Sequence, residues 1–312
     1  MTVTVRPTTG PTTTVLYGRP GFEGANIRTW IGFKHFMYLV EQGVLRWVAE
    51  QGAGARDLFL DHGLGLELID CSVQLPAVLE IDDEVRAEVT ATKGNRLAVQ
   101  LSVVRDGADV TVLRGKVVVA LVRERAADRH RPAPAPLAAL EVGDLAEAST
   151  VSRPDHRRLG DGETAESVLT ATPGAFLWSW RAPYFYCHYS DRVQHSGYVR
   201  TLEEVVDRFL ADRGISVGRM LTERAWIPVV SRARVRLVAA AHIEETVHTV
   251  FTVTDILRGV MFDASMNCYV RRDRELVHVA TAQILHGYAI AAGEGAGGLA
   301  ELDDEVVAIL TG

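Results

Sequence analysis

At 312 residues and 47% hydrophobic content, the chain can bury a large core and has the length of two ordinary domains. A formal charge of -7 opposes nonspecific phosphate binding, so nucleic acid is not an expected partner. No apolar run approaches the roughly 20 residues that span a bilayer, and the first residues lack the layout of a secretory signal, so a cytoplasmic protein without membrane contact is expected.

The first predicted element is an amphipathic helix over 33–51. Phe33, Phe36, Met37, Val40, Val44, Leu45 and Val48 recur at helical spacing, and Gly52 stops the run. Tyr38 and Trp47 widen the apolar stripe, so the helix is expected deep in the molecule, wrapped by a sheet. Strands are predicted at 66–73, 85–91, 97–105 and 110–121, with turn signals at Lys93-Gly94-Asn95 and Arg105-Asp106-Gly107 that make the sheet antiparallel. From Ala126 the composition turns to proline, alanine and charge, which reads as a linker that spans distance and packs no core. The order then repeats. A helix is predicted over 198–212, with Leu202, Val205, Val206, Phe209 and Leu210 inward, followed by strands at 226–238, 245–255, 261–271 and 276–288. The domain boundaries expected are 1–125, a linker at 126–165, 166–290, and a glycine-rich flexible tail at 291–312.

The repetition extends to short motifs. Asn26, Trp30 and Gly32 precede the first helix as Asp191, His195 and Gly197 precede the second, with the glycines 165 residues apart, which reads as a duplicated unit. Ile81-Asp-Asp-Glu-Val85 similarly matches Ile243-Glu-Glu-Thr-Val247. The second copy keeps an ionisable pair, Asp191 and His195. Cys71, Cys187 and Cys268 are far apart and form no CxxC pair, so no disulfide framework or metal is expected and they read as small buried side chains.

A long helix wrapped by an antiparallel sheet, twice in one chain, resembles the double hotdog fold, an α+β tandem. Asp191, His195 and Gly197 running into the second helix are similar to the acyl-CoA and acyl-carrier thioesterases, the 4-hydroxybenzoyl-CoA thioesterase-like group. Val193 and Gly197 stand where many members carry Asn. Phe22, Glu23, Asn26, Tyr38 and Arg46 are also similar to the enediyne-type hotdog thioesterases, at a longer spacing. The resemblance implies a thioester hydrolase whose substrate lies between the two units, with coenzyme A or phosphopantetheine as part of the substrate and no other cofactor. It also implies two units that pack within the chain as a pseudo-dimer, with further homo-oligomerisation open. Each active site would be completed from the opposite helix, which nominates Glu41, and Glu203 or Glu204.

The chemistry needs a polarised carbonyl, a base or nucleophile, and a proton for the thiolate. Amides at a helix start can hold an oxyanion. Gly197 and Tyr198 are expected to supply them in one copy, and Gly32 and Phe33 in the other. Asp191 is then the candidate base or nucleophile, and His195 the proton handler. Glu41, on a nearly apolar helix, would have a raised pKa if buried without a cation; pairing with Lys34, His35 or Arg46 is its ordinary alternative. Asn26, Trp30 and Tyr38 are expected to line the groove, together with Phe36, Trp178, Trp180 and residues 184–186. Arg232, Arg234 and Arg236 share one strand face, either solvated or set against the phosphates of a carrier. Two rival functions remain. A dehydratase would need a His-x-x-x-Gly-x-x-x-x-Pro element in the first unit, which neither His35 nor His62 provides; a noncatalytic acyl-binding module would keep the groove without the chemistry.

Overall fold

The computed structural model describes residues 13–26, 29–125, 127–129 and 131–312. The first residues of the chain, read above for a leader, and Ala126 at the head of the linker lie outside the described residues. In chain order, β1 (Thr13–Gly18) leads to α1 (Phe33–Glu50), the short α2 (Ala55–Asp57), β2 (Leu64–Gln74), β3 (Val85–Ala91), β4 (Arg96–Arg105) and β5 (Ala108–Arg123). The middle carries β6 (Glu141–Val142), α3 (Leu145–Ala148), β7 (Arg157–Arg158) and α4 (Ala165–Leu169). The order then recurs in β8 (Phe176–Arg181), α5 (His195–Asp212), α6 (Val217–Arg224), β9 (Trp226–Leu237), β10 (Thr246–Leu257), β11 (Met261–Arg272) and β12 (Glu275–Ile290), and α7 (Asp304–Thr311) closes the chain.

All the strands join one sheet, ordered β1-β3-β4-β5-β2-β9-β12-β11-β10-β8, so the halves meet edge to edge where β2 pairs with β9. The long strands alternate buried and half-exposed residues, and α1 and α5 fill the buried face. Val40, Val44 and Val48 of α1 and Val199, Leu202 and Val205 of α5 are fully enclosed. Each such side chain contributes about 1.5–3 kcal/mol relative to exposure. The eight strands expected from hairpin signals are present; β1 and β8 were not expected. β1 alternates in burial, yet its buried residue is Thr14 while Val15 and Tyr17 are exposed, and the two tryptophans of β8 read as groove lining, so neither sequence shows the apolar alternation that marks a half-buried strand.

Backbone pairing fixes how the halves correspond. Ile31 donates to the Leu79 carbonyl as Val193 donates to Ala241, Gly32 to Gly24 as Gln194 to Tyr186, and Ile81 to Thr29 as Ile243 to Asp191. Every pair is offset by 162 residues, as from 31 to 193 and from 79 to 241. The same offset carries Gly52 to Gly214, which end α1 and α5 with positive φ, and sets Ser72 of β2 opposite Arg234 of β9, its own counterpart. The 165-residue match between Gly32 and Gly197 is therefore replaced: Gly32 corresponds to Gln194, Phe33 to His195, Thr29 to Asp191, and Asn26 to His188. Positions i and i+3 share a helix face, so an amphipathic helix looks much the same after a three-residue slip. A strand does not, because an odd slip reverses its faces, and the match from 81–85 to 243–247 had the correct offset. For the same reason α5 begins at His195, three residues before its expected start.

The segment between the halves packs, contrary to its reading as a spacer. Leu137, Leu140 and Leu145 enter the main core, while Leu159, Ala165 and Leu169 close over Tyr269 and Leu276. The prolines and alanines disguised these leucines. The C-terminal segment is likewise docked: Val306 and Leu310 are buried, and Arg224 pairs with Asp303 and Glu305.

Candidate active site

Gln194 precedes α5 in extended conformation, and no side chain caps the helix start. The Gln194 carbonyl accepts from the amides of Gly197 at 3.0 Å and Tyr198 at 3.4 Å. Those two amides, expected to face an oxyanion, are thus already used. The amides left without a partner among the described residues are those of His195 and Ser196, the first two of the helix. Tyr198 is a core residue, 1% exposed.

His195 stands at the wall of a cavity of about 390 Å³ between α1, β2 and the start of α5. Glu41 of α1, Glu67 of β2, Glu124 and His188 also line it, so the cavity draws on both halves of the chain. Burial pushes the Glu41 carboxyl up to about 7, with the Arg200 guanidinium pulling the other way. The nearest ionisable partner of Glu41 is His188, whose Nε2 lies 4.0 Å away. Lys34, His35 and Arg46 do not pair with it among the described residues: Lys34 bonds Glu203 and Arg46 bonds Glu50. His195 is 2% exposed, its Nε2 has no hydrogen-bond partner among the described residues, and burial lowers its pKa to about 4, so the ring is neutral at pH 7.

A buried ionic group supports this wall. Arg192 donates through Nε to Glu67 at 2.9 Å and through Nη2 to Glu124, with all three residues under 10% exposed. One guanidinium serves two carboxyls, and burial raises both above the ordinary carboxylate range against the pull of Arg192. Glu67 keeps one oxygen, Oε2, without a partner among the described residues. Gly65 makes the group possible, since a Cβ there would lie 1.9 Å from a Glu124 oxygen. Sequence reasoning missed Glu67, Glu124, Arg192 and His188. The legible signal was Gly65-x-Glu67, a space and an acid on one face of an otherwise Leu- and Ile-rich strand.

Asp191 is not brought to this cavity. Its side chain is 58% exposed and faces His242, Oδ1 to Nδ1 at 3.3 Å. Residue 192 bridges to His242 as a short strand pair, so alternation turns Arg192 inward and Asp191 outward. Asn26, Trp30, Gly32 and Phe33 are brought together, at the start of α1, where they line a different cavity of about 1060 Å³ along with Phe36 and Glu203. The Gly32 amide is spent on the Gly24 carbonyl. Tyr38 lines neither cavity. It lies where the helices meet, under Arg200, whose guanidinium carbon is 5.4 Å from the ring, and position 200 is the counterpart of 38. Trp178 and Trp180 lie away from both cavities, beneath Arg208 and bonded to Thr249, respectively; Tyr184 and Phe185 are exposed, and Tyr186 lines the larger cavity. On the sheet, Arg234 binds Asp70 through two hydrogen bonds and Arg232 pairs with Asp263, so two of the three arginines already have protein partners. All three cysteines are buried and free.

No protein-family model matches the chain, and no curated protein sequence matches it. Its fold does have solved relatives. A Lactobacillus plantarum protein assigned as an oleoyl thioesterase superposes with a TM-score of 0.58 at 10% identity, covering 90% of this chain and 97% of its own. The 12:0-ACP thioesterase of Umbellularia californica gives 0.56 at 11% identity, covering 89% and 94%. An acyl-ACP thioesterase of Bacteroides thetaiotaomicron gives 0.53 at 9%, covering 88% and 98%. At 88–90% of this chain, the superpositions take in both halves. The protein is a double hotdog fold, and the candidate site is the cavity where α1 of one half meets the start of α5 of the other. No described helix is long and apolar enough to cross a membrane.

Proposed function

We propose that this protein hydrolyses an acyl thioester, carried by coenzyme A or an acyl carrier protein, at the cavity between Glu41 and the start of α5. The observation that carries the reading is the pairing of a carboxyl raised to about 7 on one helix with the two free amides at the uncapped start of the other. The double hotdog relatives, themselves named for acyl thioesters, support the substrate class. The substrate carries its own coenzyme A or phosphopantetheine and the reaction uses no other cofactor. Fatty-acyl or polyketide metabolism in the cytoplasm is the setting we favour.

The thioester carbonyl oxygen accepts from the His195 and Ser196 amides, where the positive end of α5 stabilises the oxyanion. Ionised Glu41 takes a proton from water as its oxygen attacks the carbonyl carbon. The C–S bond then breaks, and the thiolate takes a proton from Glu67, which lines the cavity, has one oxygen without a partner among the described residues, and sits in a buried site that favours the protonated form. The proton on Glu41 returns to Glu67, so an acid and a thiol leave and both carboxyls are restored. Neutral His195 orients the carbonyl through its ring. Asp191, exposed and turned toward His242, has no part in these steps.

The test is thiol release from a panel of acyl-CoA and acyl-pantetheine esters. Glu41→Gln keeps the shape and removes the base, and kcat/KM should fall roughly 100-fold or more. An unchanged rate would remove Glu41 from the mechanism; binding without release by the wild-type protein would favour the acyl-binding module.

A further inference from the structure

The 162-residue offset relates the two cavities to one another position by position. Glu41 becomes Glu203, His195 becomes Phe33, Gln194 becomes Gly32, Glu67 becomes Val229, Gly65 becomes Ile227 and His188 becomes Asn26; the first of each pair lines the smaller cavity and the second the larger. The larger cavity is thus the other copy of the candidate site, with the same helix start and the same mid-helix glutamate.

Its chemistry has been removed in two ways. Lys34, the counterpart of Ser196, binds Glu203 at 2.6 Å, so this carboxylate is occupied by a cation where Glu41 has none. Val229 and Ile227 replace the acid and the space that accommodates the buried ionic group. The volume is larger, about 1060 Å³ against 390 Å³. The wall nevertheless keeps an unmet polar group: His286 is 3% exposed, lines the cavity, and its Nδ1 has no partner among the described residues. A cavity of this size, whose lining joins Phe33, Phe36, Val206 and Leu210 to charged residues such as Arg200 and Asp207, with a buried imidazole at its wall and a neutralised ion pair where the reacting acid would be, suits a long hydrocarbon chain that carries an oxygen function.

We propose that the larger cavity is a second acyl-binding site, one that takes the chain of a fatty acyl thioester or a free fatty acid and does not hydrolyse it. The assignment rests on the reading of the smaller cavity as the hydrolytic one. Chain binding there uses Phe33, Phe36, Val206 and Val229 as walls, and the Lys34–Glu203 pair closes the route to a water nucleophile.

Equilibrium binding to the full chain tests this, with a nonhydrolysable long-chain acyl-CoA thioether in one arm and the matching free fatty acid in the other. Two thioether sites per chain are expected. A second fatty acid site appearing with them would show that the acid suffices as ligand; its absence would show that the larger cavity requires the thioester carrier. Val206→Trp fills the floor of the larger cavity, and Leu299→Trp narrows its rim from a half-exposed position that folding tolerates. Each should lower the count from two to one while kcat/KM for thioester hydrolysis stays within about twofold. A wild-type count of one would overturn the proposal, as would two sites in both variants. Hydrolysis lost together with binding in both folded variants would also overturn it, by making this cavity the channel for the substrate's own chain. If no thioester is hydrolysed while two sites persist, the reading of the smaller cavity fails and the second binding site remains.

Discussion

The two helix starts hold equivalent places in the fold and have opposite solvent histories. At α5 the wall carries Glu67, His195 and Gln194, and at α1 the same positions are Val229, Phe33 and Gly32. Much of the backbone pairing around them recurs, down to the amide of the residue before each helix donating to a carbonyl eight residues earlier. What differs is whether polar groups inside the wall are supported. Arg192 is placed to hold two buried carboxyls on one side; its counterpart Trp30 brings no charge to the wall of the larger cavity on the other. A duplicated scaffold therefore fixes where a site stands, and a few buried residues decide whether it is polar enough for chemistry.

The largest expected effect breaks that support. Arg192→Leu leaves Glu67 and Glu124 buried without their cation, and removing one partner of such a group costs about 3–5 kcal/mol. Urea unfolding at pH 7 measures it. The matching change at the other copy, Trp30→Leu, removes no charge partner and should cost well under that amount. Equal losses would show that the buried ionic group does nothing particular for the polar wall.

A smaller effect separates the two acids of the polar cavity. Glu67→Gln keeps the hydrogen bond from Arg192 and removes the proton donor. Alkyl thioesters, whose leaving thiolates are strongly basic, should then be hydrolysed roughly 100-fold more slowly, while aryl thioesters with readily released thiolates should lose only a few-fold. A general structural fault would slow both alike. Glu41→Gln, by contrast, should slow both, because water must be activated whichever thiol leaves.

Much of the fold was legible because it rests on local patterns. The apolar run through Val40, Val44 and Val48 gave α1, and the turns at Gly94 and Gly107 gave the hairpins. Glu41 was legible for the same reason, as a charge inside an apolar stripe. Register across the duplication was not, because helical periodicity repeats closely enough after three residues to make Gly197 stand in for Gln194. That slip also gave Asp191 a role that strand alternation denies it. Glu67, Glu124 and Arg192 meet from three separate segments, and no local pattern announces such a meeting. Leu137 and Leu145 were hidden by the prolines and alanines around them.

The raised pKa of Glu41 carries a stability consequence. Below pH 4.5, the ordinary value for the side chain, the glutamate is protonated whether the chain is folded or unfolded. As pH rises from 4.5 toward about 7, the unfolded chain releases the proton and the folded one retains it, so Glu41 progressively destabilises the fold. Above 7 the penalty is complete, and with the side chain 22% exposed it amounts to roughly 2 kcal/mol. Glu41→Gln does not titrate. It should match the wild type near pH 4.5 and exceed its stability by about that amount at pH 8, the range in which an ionised Glu41 also raises kcat/KM. Glu203→Gln should bring no such gain, since it takes away the ion-pair partner of Lys34. A pH-independent difference between Glu41→Gln and the wild type would mean that the carboxyl is solvated and not poised for proton transfer, and the contrast between the two cavities would then rest on shape alone.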